Sequence, residues 1–182
     1  MADFPSYMMP PPPILLTTCI DASVSQQGAT PLLSASSNTW PTNNIATYVP
    51  FRLTSWATVY QLLFWVGATS AGNIDVGIYD AQKNKIVSSG STAMSATVNT
   101  VQELNVTDTV LSPGNYLLAA SCSTTSGTCF AQSAVSDEFG LSSFSLFQEA
   151  SALPLPATAT PVLTTATDTR LFCFGAQLRS VF

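Results

Sequence analysis

The chain has 182 residues, of which 46% are hydrophobic and only 8% charged, with a net charge of −5 and no histidine. That length fits one domain with an arm or tail, and it can bury a core without metal or disulfide staples. The five cations, Arg52, Lys83, Lys85, Arg170 and Arg179, are scattered, which argues against a nucleic-acid-binding stripe or a polybasic membrane anchor.

The charged fraction lies far below the roughly 25% of ordinary soluble domains, so Ser, Thr, Asn and Gln must cover most of the surface. Such a surface is weakly protected against association. It reads as surface meant for partners, with a secreted Ser/Thr-rich module as the alternative.

Residues 1–47 read as an extended, proline-rich arm. Pro10-Pro11-Pro12-Pro13 favours polyproline II, and Pro5, Pro31 and Pro41 interrupt anything regular. A short strand is expected at Leu15–Ile20. Phe4, Tyr7, Met8, Met9, Ile14 and Leu15 are too apolar for a solvated tail and are expected to contact a neighbouring subunit. The start, Met1-Ala2-Asp3-Phe4-Pro5, lacks the basic region of an export signal. The apolar runs Pro13–Leu16 and Leu62–Val66 are too short to span a bilayer. Synthesis in a cytoplasm, with no membrane span, is the expectation.

From residue 48 the pattern is β. Thr58–Val66 is rich in branched and aromatic residues. Across Asn73–Asp80, Ile74, Val76 and Ile78 alternate with Asp75, Gly77 and Tyr79, which predicts a half-buried strand with the aliphatic side chains inward. A turn at Ala81–Lys85 leads to a strand over Lys85–Ser89. Another strand is predicted over Val98–Val106, closed by Thr107-Asp108-Thr109. Ser112-Pro113-Gly114-Asn115 has turn chemistry, with Pro fixing φ and Gly taking positive φ. Strands follow at Tyr116–Ser121 and Thr128–Gln132. Val135–Glu149 has room for one short helix, against which Gly140 and the serines count. Leu153-Pro154-Leu155-Pro156 is extended, because each Pro disfavours helix at the residue before it. Arg170–Phe174 is a final strand, with Leu171 and Cys173 on one face and Phe172 and Phe174 on the other. Short strands at this spacing predict an all-β chain: a single antiparallel β-sandwich, jelly-roll-like, over residues 48–182.

Cys19, Cys122, Cys129 and Cys173 admit a disulfide reading, in which Cys122 and Cys129 close a small loop. Reduced, buried thiols fit better, since a chain this long needs no staples. Without His or a C-x-x-C spacing, no zinc site is expected, and Asp75 with Asp80 supplies too few oxygens for calcium. No cofactor is expected.

The missing histidine removes Ser-His-Asp and Cys-His catalysis. No glycine-rich loop cradles phosphate. A glycosidase would need two carboxylates about 5 Å or about 6.5–9.5 Å apart, and nothing in the sequence selects such a pair. No catalytic residue is assigned. Sugar binding is the rival to a purely structural role, because aromatic faces beside polar groups suit carbohydrate. Tyr48, Trp40, Trp56, Trp65 and Tyr79 are the aromatic candidates. Trp40, between Thr39 and Pro41, and Tyr79, opposite the core face, lead as glycan or interface residues. Trp65, within an apolar run, reads as core.

The segments Tyr48-Val49-Pro50-Phe51-Arg52, Thr58-Val59-Tyr60, Gly72–Asp80, Val87–Thr92, Leu111–Leu117 and Leu153–Thr160 carry a resemblance. They resemble a β-sandwich family of structural proteins from tailed-bacteriophage virions and prophages. The resemblance implies a sandwich displayed on the particle as head decoration, neck or tail. It brings no catalytic residues. A capsid-surface decoration or cement protein, attached through capsid or tail subunits and forming a homo-oligomer, is the resulting expectation. A tail, neck or fibre component that binds a host receptor or surface glycan is the alternative.

Overall fold

The computed structural model describes residues 14–17, 35–133, 147–150, 152–163 and 170–180. These form strands and no helix, so none of them makes a helix long and apolar enough to cross a membrane. In chain order the strands are β1 (Ile14–Thr17), β2 (Ser36–Thr39), β3 (Ala46–Leu53), β4 (Ala57–Val66) and β5 (Asn73–Tyr79). Then come β6 (Lys85–Ser88), β7 (Thr92–Ala93), β8 (Thr100–Leu111), β9 (Gly114–Cys122) and β10 (Thr128–Ser133). The last are β11 (Phe147–Glu149), β12 (Val162–Leu163), β13 (Arg170–Phe172) and β14 (Phe174–Ser180).

Two antiparallel sheets pack face to face as a β-sandwich. The first contains β1, β14, β4, β8, β10, β13 and β2; the second runs β12-β11-β3-β9-β5-β6, with β7 also on β5. The expected all-β antiparallel sandwich is therefore the fold.

The core follows from strand alternation. Ile74, Val76 and Ile78 of β5 are wholly buried between the sheets, facing Leu62, Phe64 and Val66 of β4 within one cluster. Each large side chain fully buried this way contributes about 1.5–3 kcal/mol before ordering costs. On β4 the inward set is Ala57 and Val59, then Leu62, Phe64 and Val66. The change of phase falls where the β4–β8 register breaks: Val59 opposes Thr109, and Gln61 opposes Asn105. Val106, Thr107 and Asp108 of β8 thus lie against Tyr60 alone, a bulge of more than one extra residue. Thr107-Asp108-Thr109, expected to close a strand, instead lies within β8. The chain then crosses from the first sheet to the second through Ser112-Pro113. There the Tyr116 hydroxyl donates to the Ser112 carbonyl at 2.7 Å.

Phe172 and Phe174 face this core, while Leu171 and Cys173 join Leu63 and Trp65 in a cluster on the opposite face of the first sheet. The predicted face assignment of the final strand holds. Trp65 is buried, 5% exposed, though in that outer cluster and not between the sheets. Arg170–Phe174 is divided at Cys173 into β13, on β10, and β14, on β4.

The sandwich begins earlier than residue 48. β2 pairs with β10, and Ala46 and Thr47 are fully buried. Trp40 is among the largest buried side chains, 4.6 Å from the Phe172 ring and 6.2 Å from Phe64. Its Nε1 donates to the Ile45 carbonyl at 2.9 Å. β1 also belongs to the sandwich, since Ile14–Thr17 pair with Leu178–Gly175 of β14. Prolines alone suggest a boundary near residue 48, but burial of an indole and pairing of a sheet edge override local composition. The helix considered for Val135–Glu149 gives way to strand at Phe147–Glu149; residues 134–146 lie outside the described residues.

Candidate functional site

The outer face of the second sheet carries a connected polar network among the described residues. It is built by the connection between β11 and β12. These two strands pair with each other, and residues 152–160 between them fold back over β3, β9 and β5 as a strap. Ala152, Leu155 and Ala159 are buried against Ala46, Tyr48, Tyr79 and Ala119. The Leu153–Pro154 bond is cis.

Strap main chain meets side chains of the sheet. The Leu155 N–H donates to Asp75 Oδ2 at 2.9 Å, and Lys85 Nζ donates to the Leu155 carbonyl at 2.6 Å. The Tyr79 hydroxyl donates to the Pro156 carbonyl at 2.7 Å. At the strap's far end both Glu149 oxygens are engaged by Thr160, and the Tyr48 hydroxyl donates to Oε2 at 2.8 Å. The Tyr48 and Tyr79 rings meet edge to face at 5.5 Å. Gly77 lies beneath the strap where a Cβ would come within 2.9 Å of the Val87 carbonyl oxygen and 3.0 Å of Leu155 Cδ1, so close approach requires glycine there.

Burial dominates the electrostatics of this network. It raises the Asp75 carboxyl above its ordinary value, against hydrogen bonds from Leu155 and Ser89 and the charge of Lys85, which lower it. Both tyrosines are held neutral. Burial pushes Tyr48 up, as does its bond to Glu149, and burial likewise raises Tyr79.

The strap corrects two expectations. β5 is not half-buried: Asp75, Gly77 and Tyr79 are as covered as the aliphatic side chains between them. Tyr79 therefore offers no ring face to solvent, and Trp40, inside the core, offers none either. Neither can serve as a sugar platform in this fold. Tyr48 is also fully buried; Trp56, before β4, is 53% exposed. Among the arm residues, Ile14 and Leu15 lie on β1, whereas Phe4, Tyr7, Met8 and Met9 lie outside the described residues.

Where the strap ends, the outer face opens. β3 and β9 run on past the end of β5, with Pro50 opposite Leu117 and Arg52 opposite Asn115. Alternation puts these four on the outer face, since Phe51 and Tyr116 pack into the core cluster. Their rings stack at 5.5 Å. The turn between β5 and β6 forms one wall, and the result is a groove of about 520 Å³ lined by Pro50, Phe51, Arg52, Lys83, Asn115 and Leu117, among others. Arg52 and Lys83 were legible only as scattered cations. The β3–β9 register and the turn bring them to one groove from positions 31 apart in the chain (83 − 52).

The remaining candidate chemistry is spread out. Among the described residues no three His, Cys, Asp or Glu side chains gather as metal ligands. Asp75 and Asp80 are committed separately: Asp75 to Leu155 and Ser89, Asp80 to the Asn84 N–H at 2.8 Å. Cys122 is a buried free thiol donating to the Thr124 carbonyl at 3.2 Å, so the small Cys122–Cys129 loop is not closed. Cys129 and Cys173 are also buried, and Cys19 lies outside the described residues.

No family model matches the chain, and neither does any curated protein or solved structure.

Proposed function

We propose that this chain is a non-catalytic structural protein of a tailed-bacteriophage particle, acting as a capsid-surface decoration or cement protein held through contacts with other subunits. The observation that carries the reading is the pairing of β1 with β14. A short strand from the proline-rich N-terminal region adds to a sheet edge through main-chain hydrogen bonds. The same chemistry joins neighbouring copies when an arm crosses between them. The sparse charge supports the reading, since a surface with 8% charged residues is suited to being covered. So does the resemblance carried by the segments from Tyr48 to Thr160.

The test is retention on purified particles. Deleting residues 2–13 removes Phe4, Tyr7, Met8 and Met9 and keeps β1. The truncated protein is expected to keep its β-sheet circular dichroism and thermal midpoint yet be lost from particles. Undiminished retention would sink the arm as the means of attachment. A position on tail, neck or fibre would change what the open groove meets, and immunogold labelling of intact particles distinguishes the placements.

A further inference from the structure

The geometry points to the open groove on the outer face of the second sheet as a binding site for a carboxylate-bearing sugar residue. Such a site goes beyond the assembly role proposed above and stands or falls separately from it.

Charge comes first. The groove holds two of the protein's five cations, Arg52 and Lys83, and no acidic residue lines it. Neither cation's side chain has a hydrogen-bond or ion-pair partner among the described residues, whereas Arg179 is paired with Asp108 and Lys85 with the strap. In a chain of net charge −5, two unpaired cations at one concavity form a local site for an anion. The guanidinium fork of Arg52 matches a carboxylate through two parallel hydrogen bonds, and the Lys83 ammonium adds a mobile point charge.

The turn also fixes where Lys83 sits. Its φ is +69°, in the left-handed region that glycine or asparagine normally occupies. A lysine there is costly to the fold, and its charge projects at the rim of the groove.

The floor narrows the ligand. Pro50 and Leu117 offer apolar surface to the C–H face of a sugar ring, and the Asn115 amide can both donate to and accept from hydroxyls. About 520 Å³ suits a compact ligand. An acidic peptide fits less well. Among the described residues, β11 pairs with β3 only at Ala46–Tyr48, so the β3 edge beyond is open, but Pro50 removes an N–H donor from it. Strand addition is thereby weakened, and recognition falls chiefly to side chains.

The experiment uses the full chain, ¹⁵N-labelled and titrated with N-acetylneuraminic, glucuronic and galacturonic acids, with galactose and glucose as neutral counterparts. Hexaglutamate and inorganic phosphate serve as other anions. At least one acidic sugar is expected to shift the amides of Arg52, Asn115 and Leu117 and to bind about tenfold or more tightly than either neutral sugar, the scale of one charged hydrogen-bonded contact. Arg52→Ala and Lys83→Gly are each expected to weaken that binding by a similar factor. Lys83→Gly suits the backbone, so its thermal midpoint should not fall, which separates lost binding from lost folding. Equal binding of neutral sugars, no binding of any acidic sugar at millimolar concentration, tighter binding of hexaglutamate or phosphate, or full affinity in both variants would each overturn the proposal.

Discussion

The Asp75 carboxylate and the Leu155 N–H, 80 residues apart in sequence, meet at 2.9 Å beneath the strap. Asp75 is fully buried, and its other oxygen accepts from Ser89 at 3.2 Å. Removing the acceptor leaves a buried donor without a partner. Asp75→Ala is therefore expected to cost about 1–3 kcal/mol at neutral pH, the penalty for a buried group left unsatisfied. Asp75→Asn, which keeps one carbonyl oxygen for Leu155, should cost less. Urea denaturation of the three proteins gives the comparison, and an Asn variant as unstable as the Ala variant would remove the hydrogen bond as the cause.

The same carboxylate sets a pH dependence. Burial raises its folded-state value above the ordinary 3.8, so the folded protein keeps this proton where the unfolded chain has released it. The stability that Asp75 contributes is fully present below about pH 3.8 and declines as pH rises through the raised folded value. Measured against Asp75→Asn, which does not titrate, the wild-type advantage should shrink from acid toward neutral pH. An advantage that grows over that interval would reverse the sign of the shift.

Trp40 tests how much of the N-terminal region belongs to the core. Its ring packs on Phe172 and Phe64 and is 1% exposed. Trp40→Ala is expected to cost about 3–5 kcal/mol, as large aromatic truncations in cores do. A loss below about 1 kcal/mol, the scale of an ordinary surface substitution, would return the residue to the arm. Thermal or urea unfolding reads this directly.

Thr47 works in the opposite direction. It is fully buried, and its hydroxyl has no hydrogen-bond partner. Thr47→Val preserves the branched shape that suits a strand and removes the stranded hydroxyl, so it should stabilise the protein by about 1 kcal/mol or more. A thermal midpoint that falls would show that the hydroxyl is satisfied in solution.

Local periodicity carried most of the fold. Ile74, Val76 and Ile78, and the opposition of Leu171 and Cys173 to Phe172 and Phe174, were readable because strand side chains alternate whatever lies around them. What covers a face is a different kind of fact. Tyr79 was correctly placed opposite the core, yet its burial depends on a strap that returns to the sheet from 77 residues further along. The Leu153–Pro156 composition says that the chain is extended, not what it lies on. Trp40 misled for a related reason, since its Thr and Pro neighbours describe a loop whose indole happens to fill the core. The groove cations were hardest to see, because Arg52 and Lys83 acquire a relationship only through the β3–β9 register and a turn on a third strand.

The bulge in β8 has a consequence for assembly. Among the described residues β8 pairs only with β4, and it is the longest strand, which would ordinarily make it a template for docking another chain edge to edge. Three of its residues lie against one residue of β4, so the free side is broken into two short ladders out of step with each other. A neighbour arriving as a straight strand could match one half only. Edge-to-edge growth of a continuous sheet through β8 is thereby disfavoured.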